Sequence, residues 1–293
     1  MATEITPLRC GHLAVDGFQI WWEQHGTGER EPIVLLNGLA MHTKAWYGFL
    51  PMLLDEFDVI LYDYLGQGES SKDDVPYSIP EFARYLSLIL DEVGQQRAHV
   101  MGISYGGFIA LDFARLYQER LHTLVLSGIL LSRERLFELY QDISLRFYRS
   151  TRETFELYTH YMYEKIFGEG FAAKIPPEQF QAMRQRFYDR YVDQRHCLIR
   201  LTEAQNPFFG SIEANMPGYR AIQTPTLMVA GSQDRAIPLW QQAKIRDVLP
   251  DTRWELVEGS GHVVYIERPD VFFPAIKTFA RTKRLDFPWP GRA

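Results

Sequence analysis

The chain has 293 residues, 46% hydrophobic, 14% aromatic and 23% charged, which excludes a disordered tail, a collagen-like fibre and a low-complexity scaffold. A net charge of −6 suits a phosphate backbone poorly, so nucleic acid is not an expected partner. No stretch approaches the roughly 18 uninterrupted apolar residues that span a bilayer. The N-terminus lacks a signal-peptide pattern, and the two cysteines, Cys10 and Cys197, show no metal-like spacing. These features predict a soluble, cytoplasmic enzyme or small-molecule binder with no disulfide, metal or cofactor. Length alone suggests about two domains.

Residues 12–15 and 19–24 alternate apolar and polar side chains around Asp16-Gly17, a hairpin pattern. Residues 32–36 are apolar on both faces, as a buried parallel strand requires, and 59–62, 99–101 and 124–126 repeat the pattern. Helix-length stretches lie between them at 45–56, 78–93 and 105–118. The alternation predicts a parallel sheet with helices on both faces.

The pattern stops at residue 133. Leu136, Tyr140, Ile143 and Phe147 recur at helical spacing, as do Phe155, Tyr158 and Met162. A longer stripe runs Phe180, Met183, Phe187, Tyr191, Gln194, Leu198, Leu201, behind Pro176-Pro177. Residues 133–215 therefore read as an all-helical insertion, rich in Phe and Tyr, free of Trp and balanced in charge. Strand patterns resume at 226–230 and 254–257, with helices at 238–249 and 271–281. The predicted organisation is a core of 1–132 and 216–293 interrupted by a helical cap of 133–215. The basic tail, with Arg281, Lys283, Arg284 and Trp289, reads as an irregular terminus.

Gly102-Ile103-Ser104-Tyr105-Gly106 follows a predicted strand and opens a predicted helix. Turning directly from strand to helix forces the central residue into a strained conformation, and the neighbouring chain then approaches so closely that the flanking positions must be small. The strain holds the Ser104 hydroxyl above the sheet edge, beside the free N–H groups of a helix start. A serine hydroxyl needs a base to become a nucleophile. His262, in Gly259-Ser260-Gly261-His262, follows a strand, and so does Asp234, in Gly231-Ser232-Gln233-Asp234. All three fall at carboxyl ends of strands, in the order Ser, Asp, His.

These motifs resemble those of the α/β-hydrolase superfamily, over residues 10 to 282. Asp63-Tyr64-Leu65-Gly66-Gln67-Gly68-Glu69-Ser70 is similar to the family's D-x-x-G-x-G-x-S turn; the missing third glycine and helix start exclude a dinucleotide loop there. Asn37-Gly38-Leu39 falls where the family carries its oxyanion loop, with Asn37 in place of the usual His. The resemblance implies an α/β fold with a mostly parallel eight-stranded sheet, helices on both faces and an inserted helical cap. It also implies a catalytic triad of Ser104, Asp234 and His262, and an oxyanion hole from the backbone N–H groups of Leu39 and Tyr105. Serine rather than aspartate as nucleophile points to acyl chemistry.

The expected substrate is a small-molecule ester with a small-to-medium hydrophobic acyl group, cleaved through an acyl-enzyme on Ser104. The alternatives are an acyltransferase or thioesterase for (3-hydroxy)acyl groups, which the Asn37-Gly38 loop partly resembles, and an idle hydrolase used as a ligand receptor. His42, Tyr140 and Tyr158 are candidate substrate contacts. His99 reads as a satisfied buried histidine and His160 as a bland cap residue. Most cap aromatics read as the cap's own core.

Overall fold

In the computed structural model, which describes residues 5–249 and 252–283, eight strands form one sheet. They are β1 (Arg9–Val15), β2 (Phe18–His25), β3 (Pro32–Leu36), β4 (Asp58–Tyr62), β5 (Ala98–Ile103), β6 (Leu121–Ser127), β7 (Thr226–Gly231) and β8 (Arg253–Val257). Their spatial order is β1-β2-β4-β3-β5-β6-β7-β8. β1 and β2 are the predicted hairpin, turning at Asp16 and Gly17, both with positive φ. β2 joins β4 antiparallel, and every later pairing is parallel.

The period-two alternation of the strands divides the core. Val34, Leu36, Ile60, Val100 and Leu124 face one layer, which holds α1 (Ile79–Glu92) and α2 (Tyr105–Leu116). Ile33, Leu35, Val59, Leu61 and Met101 face the other. Seven helices lie between β6 and β7: α3 (Arg135–Tyr148), α4 (Arg152–Ile166), α5 (Glu169–Ala172), α6 (Pro177–Tyr191), α7 (Arg195–Glu203), α8 (Gln205–Gly210) and α9 (Ile212–Arg220). They carry their own apolar cluster, centred on Leu145, Tyr148, Phe155, Tyr158, Phe187 and Leu198. After β7 come α10 (Leu239–Gln242), α11 (Val264–Glu267) and α12 (Pro269–Thr282). Among the described residues no helix is long and apolar enough to cross a membrane.

Three expectations need correction. The helix foreseen at 45–56 is a 3₁₀ segment, Thr43–Met52, which carries Gly48 and Pro51; proline removes an N–H and keeps the preceding residue out of the α region. The stripe from Phe180 to Leu201 breaks at Val192–Gln194 into α6 and α7; its spacing survives because both helices face one cluster, through Tyr191 and Leu198. On α3 the foreseen stripe is one residue out of register. Leu136 and Ile143 are 60% and 41% exposed, and Phe137, Gln141, Ser144, Leu145 and Tyr148 are buried instead. The polar Gln141 and Ser144 disguise the buried face. Arg281 and Lys283 reach Glu56 and Glu31; the tail from Arg284 onward lies outside the described residues.

Gly106 is a point where the fold leaves no room. A β-carbon there would stand 2.5 Å from the Leu36 carbonyl oxygen and 2.6 Å from that of Asn37, both backbone atoms that cannot swing aside. Gly106→Ala is therefore expected to lose about 2–3 kcal/mol of stability, or to fail to fold, in urea unfolding. A loss below about 0.5 kcal/mol would show that α2 moves freely against β3.

Candidate active site

The carboxyl ends of the parallel strands gather the site along one edge of the sheet. Ser104 sits between β5 and α2 at φ 49° and ψ −119°, a region that residues with side chains avoid. Its N–H donates to the Ser127 carbonyl at 2.8 Å, which ties the turn to β6. A β-carbon on Gly102 would run into the backbone of Gly106, so both flanking glycines are required by the close approach.

His262 follows β8, and its ring lies over Gly128, just past β6, where a β-carbon would come within 2.8 Å of Cε1. His262 Nδ1 and Asp234 Oδ2 are 2.8 Å apart. Asp234 Oδ1 accepts from the N–H groups of Ala236 and Ile237 at 2.9 and 2.8 Å, and Oδ2 from Gln242 Nε2 at 2.9 Å. The carboxylate is thus fixed in one plane facing the imidazole, which leaves Nε2 to face the cavity chemistry. Burial works against the imidazolium, but the Asp234 charge and hydrogen bond, with the Glu267 charge, outweigh it and hold the His262 pKa above its ordinary 6.5.

The loop after β3 places Leu39 beside the serine: a β-carbon on Gly38 would lie 3.8 Å from Ser104 Cβ. Tyr105 is the first residue of α2, so its N–H has no intrahelical acceptor. Asn37 is fully buried and ties the loop down. Its Nδ2 donates to the Tyr62 carbonyl at 3.1 Å and to Asp63 Oδ1 at 3.3 Å, and its Oδ1 accepts from Trp46 Nε1 at 2.7 Å. Asp63 also accepts from the N–H groups of Thr43 and Glu69 at 2.8 and 3.0 Å. Burial raises the Asp63 pKa to about 6 despite those donors. Gln67 Nε2 donates to the Gly38 carbonyl at 3.1 Å, so the glycine-rich turn after β4 buttresses the loop after β3.

Ser104, His262, Leu39 and Tyr105 all line one cavity of about 270 Å³, near the lower end of the range for small-molecule sites. Its lining includes Tyr140 and Tyr158 but not His42, whose pKa is pushed down to about 4 by burial and then by Arg190 and Lys44. Phe137 and Phe187 face the cavity, whereas Phe155 is cap core. His160 is exposed, and His99 is buried with Nδ1 2.8 Å from Thr123 Oγ1.

Sequence reading missed the link between the histidine loop and the inserted helices. The His262 N–H donates to the Ile166 carbonyl at 2.8 Å. Glu267 accepts from the Gly168 N–H at 3.2 Å and from the Gly261 N–H at 3.0 Å. A β-carbon on Gly261 would strike the Gly168 nitrogen. The one available signal was Gly261 itself, two residues after Gly259 in a loop where a single turn glycine would serve. Gly128, Gln242 and Glu267 carried no motif.

A family profile for the α/β hydrolase fold matches residues 31–269. The RutD protein of Pseudomonas savastanoi pv. phaseolicola, provisionally named a carbamate hydrolase, is 30% identical over 243 residues, spanning 81% of this chain and 88% of the relative. A poly(3-hydroxyalkanoate) depolymerase of Ectopseudomonas oleovorans is 27% identical, over 86% of this chain and 85% of its own. Among solved structures, the α/β hydrolase MGS-M2 from a Medee basin deep-sea metagenome library superposes with a TM-score of 0.85 at 23% identity, covering 94% of this chain and 99% of that one. With a matched profile across most of its length and this sheet order beneath it, the chain belongs to the α/β-hydrolase fold family.

Proposed function

We propose that the chain is a serine hydrolase that cleaves carboxylic esters with small-to-medium hydrophobic acyl groups through an acyl-enzyme on Ser104. The observation that carries the reading is the convergence of a strained serine and an aspartate-held histidine on one cavity. Ser104 Oγ attacks the ester carbonyl carbon as its proton passes to His262 Nε2. The carbonyl oxygen takes up the negative charge opposite the N–H groups of Leu39 and Tyr105. Collapse breaks the bond to the alkoxide, which leaves with the proton from His262. Water then attacks the acyl-enzyme, gives its proton to His262, and the acid departs as Ser104 regains its hydrogen. Asp234 holds the imidazole and stabilises its charged form.

Phe108, Phe137, Met162, Met183 and Phe187 give the cavity an apolar character that suits a hydrocarbon acyl group. The inserted helices act in this reading as a cap domain. Relatives with depolymerase and carbamate-hydrolase names support hydrolysis as the reaction class without agreeing on one substrate.

Ser104→Ala is expected to lower kcat/KM for nitrophenyl esters by about 10⁴-fold or more and to abolish labelling by a fluorophosphonate probe. Its stability should stay within about 0.5 kcal/mol of the parent. Retained ester cleavage in that variant would remove Ser104 from the mechanism.

The pH dependence follows from His262, which accepts a proton only as neutral imidazole. Its pKa lies above 6.5, so kcat/KM should fall as pH drops through that raised value. Glu267→Gln removes one negative charge that favours the imidazolium, so the inflection should move to lower pH. An inflection that stays put or rises would detach Glu267 from the base.

A further inference from the structure

The cavity above Ser104 has one polar wall. Gln141, Ser144 and Tyr148 on α3 face it together with Thr202 on α7 and Gln205 on α8. All five are at least nine-tenths buried, with relative exposures of 4%, 3%, 1%, 2% and 5%. On α3 the spacing from Phe137 through Gln141 and Ser144 to Tyr148 keeps them on one helical face. Phe137 meets Phe108 at 6.3 Å between ring centroids, and Phe108 lies one turn into α2 from Ser104. Gln141 stands a further turn along α3, about 6 Å of rise. The polar wall thus begins past the phenylalanine pair, toward the cap core at Tyr148 and Phe155.

One donor in this wall has no partner among the described residues, and a hydroxyl near it is only loosely held. Gln141 Nε2 is buried and donates no hydrogen bond. Thr202 Oγ1 is buried and pairs only loosely, with the Tyr148 hydroxyl. Their neighbours are committed: Tyr148 Oη donates to Tyr158 Oη at 2.7 Å and Ser144 Oγ to the Tyr140 carbonyl at 3.0 Å. Buried donors without acceptors are rare because nothing replaces the water they lose. An amide donor in the wall of an apolar cavity has a use when the ligand brings the acceptor.

The chemistry narrows that ligand. With neither end of its amide hydrogen-bonded, Gln141 can turn Nε2 to an acceptor on the ligand, and the Thr202 hydroxyl can complete the contact in either sense. Among the described residues the lining holds no Lys or Arg, so a carboxylate or phosphate would enter without a counter-charge. We propose that Gln141 and Thr202 form a recognition subsite for a neutral oxygen acceptor, a hydroxyl, ether or carbonyl, carried on the acyl chain of the substrate beyond the scissile ester. The subsite rests on the serine-hydrolase reading, which supplies the acyl chain.

The test uses pairs of nitrophenyl esters of equal length, a plain alkanoate against its keto- or methoxy-substituted counterpart. The parent protein should favour the oxygenated ester in kcat/KM by about tenfold or more. Gln141→Leu should bring the ratio close to unity and raise Tm, because it removes a buried unpaired donor. Thr202→Val should reduce the ratio by a smaller factor and serves where Gln141→Leu does not fold. Cleavage of both esters by the parent with equal kcat/KM overturns the subsite. So does a Gln141→Leu protein of lower Tm whose kcat/KM falls equally for both esters, since that marks a packing role. Calorimetric titration of the same pair into Ser104→Ala protein reads the subsite without turnover. Tighter binding of the oxygenated ester, lost in Ser104→Ala/Gln141→Leu, supports it even where the parent cleaves neither ester, an outcome that defeats the hydrolase reading alone. Equal binding of both esters overturns the subsite.

Discussion

The strand-to-helix turn at Ser104 sets the terms for everything around it. A side-chain-bearing residue at φ 49° persists only where its surroundings over-determine it, and here they do. Gly106 has the Leu36 and Asn37 carbonyls against it, Gly102 has the backbone of Gly106, and Gly107 has Ile129. The same crowding brings the end of β3 beside the start of α2. Two loops from different strands then flank the serine, the one after β3 held in place through Asn37 and Gln67. The strain and the proposed oxyanion geometry are one feature, since relaxing the turn would also part Leu39 from Tyr105.

The inserted helices are not a loose lid over this edge. The Ile166 carbonyl at the end of α4 accepts from the His262 N–H, and the Glu267 carboxylate accepts from the Gly168 and Gly261 N–H groups. Arg235 adds contacts to the Phe167 carbonyl at 3.1 Å, and the Glu169 N–H donates to Gln233 Oε1 at 2.8 Å. Residues next to both Asp234 and His262 are thus fastened to the same turn. A displacement of these helices large enough to break that seam would also disturb the imidazole.

The sheet was legible in the sequence because buried parallel strands leave little choice: Pro32-Ile33-Val34-Leu35-Leu36 can satisfy both faces in no other way. The candidate nucleophile was legible because Gly102 and Gly106 record a steric demand directly. Asn37 was visible as a departure, but not its reason, since its partners Trp46, Tyr62 and Asp63 come from two other segments. Gly128 and Glu267 stayed hidden because their effect depends on which loops meet across the sheet edge, and no local pattern encodes that. The register of α3 was misread for a different reason: Leu136 and Ile143 are apolar and exposed, while Gln141 and Ser144 are polar and buried.

That inversion on α3 is informative in itself. A helix selected only for packing would place leucines at 141 and 144 and glutamine outside, which would bury more apolar surface and leave no donor unpaired. Sequences depart from local consistency mainly where function demands it. Here the departure coincides with the wall of the cavity that holds Ser104 and His262. The residues that defeated the periodicity argument are therefore the ones best placed to distinguish one ligand from another. The apolar cluster beneath them supplies the stability that such a departure costs.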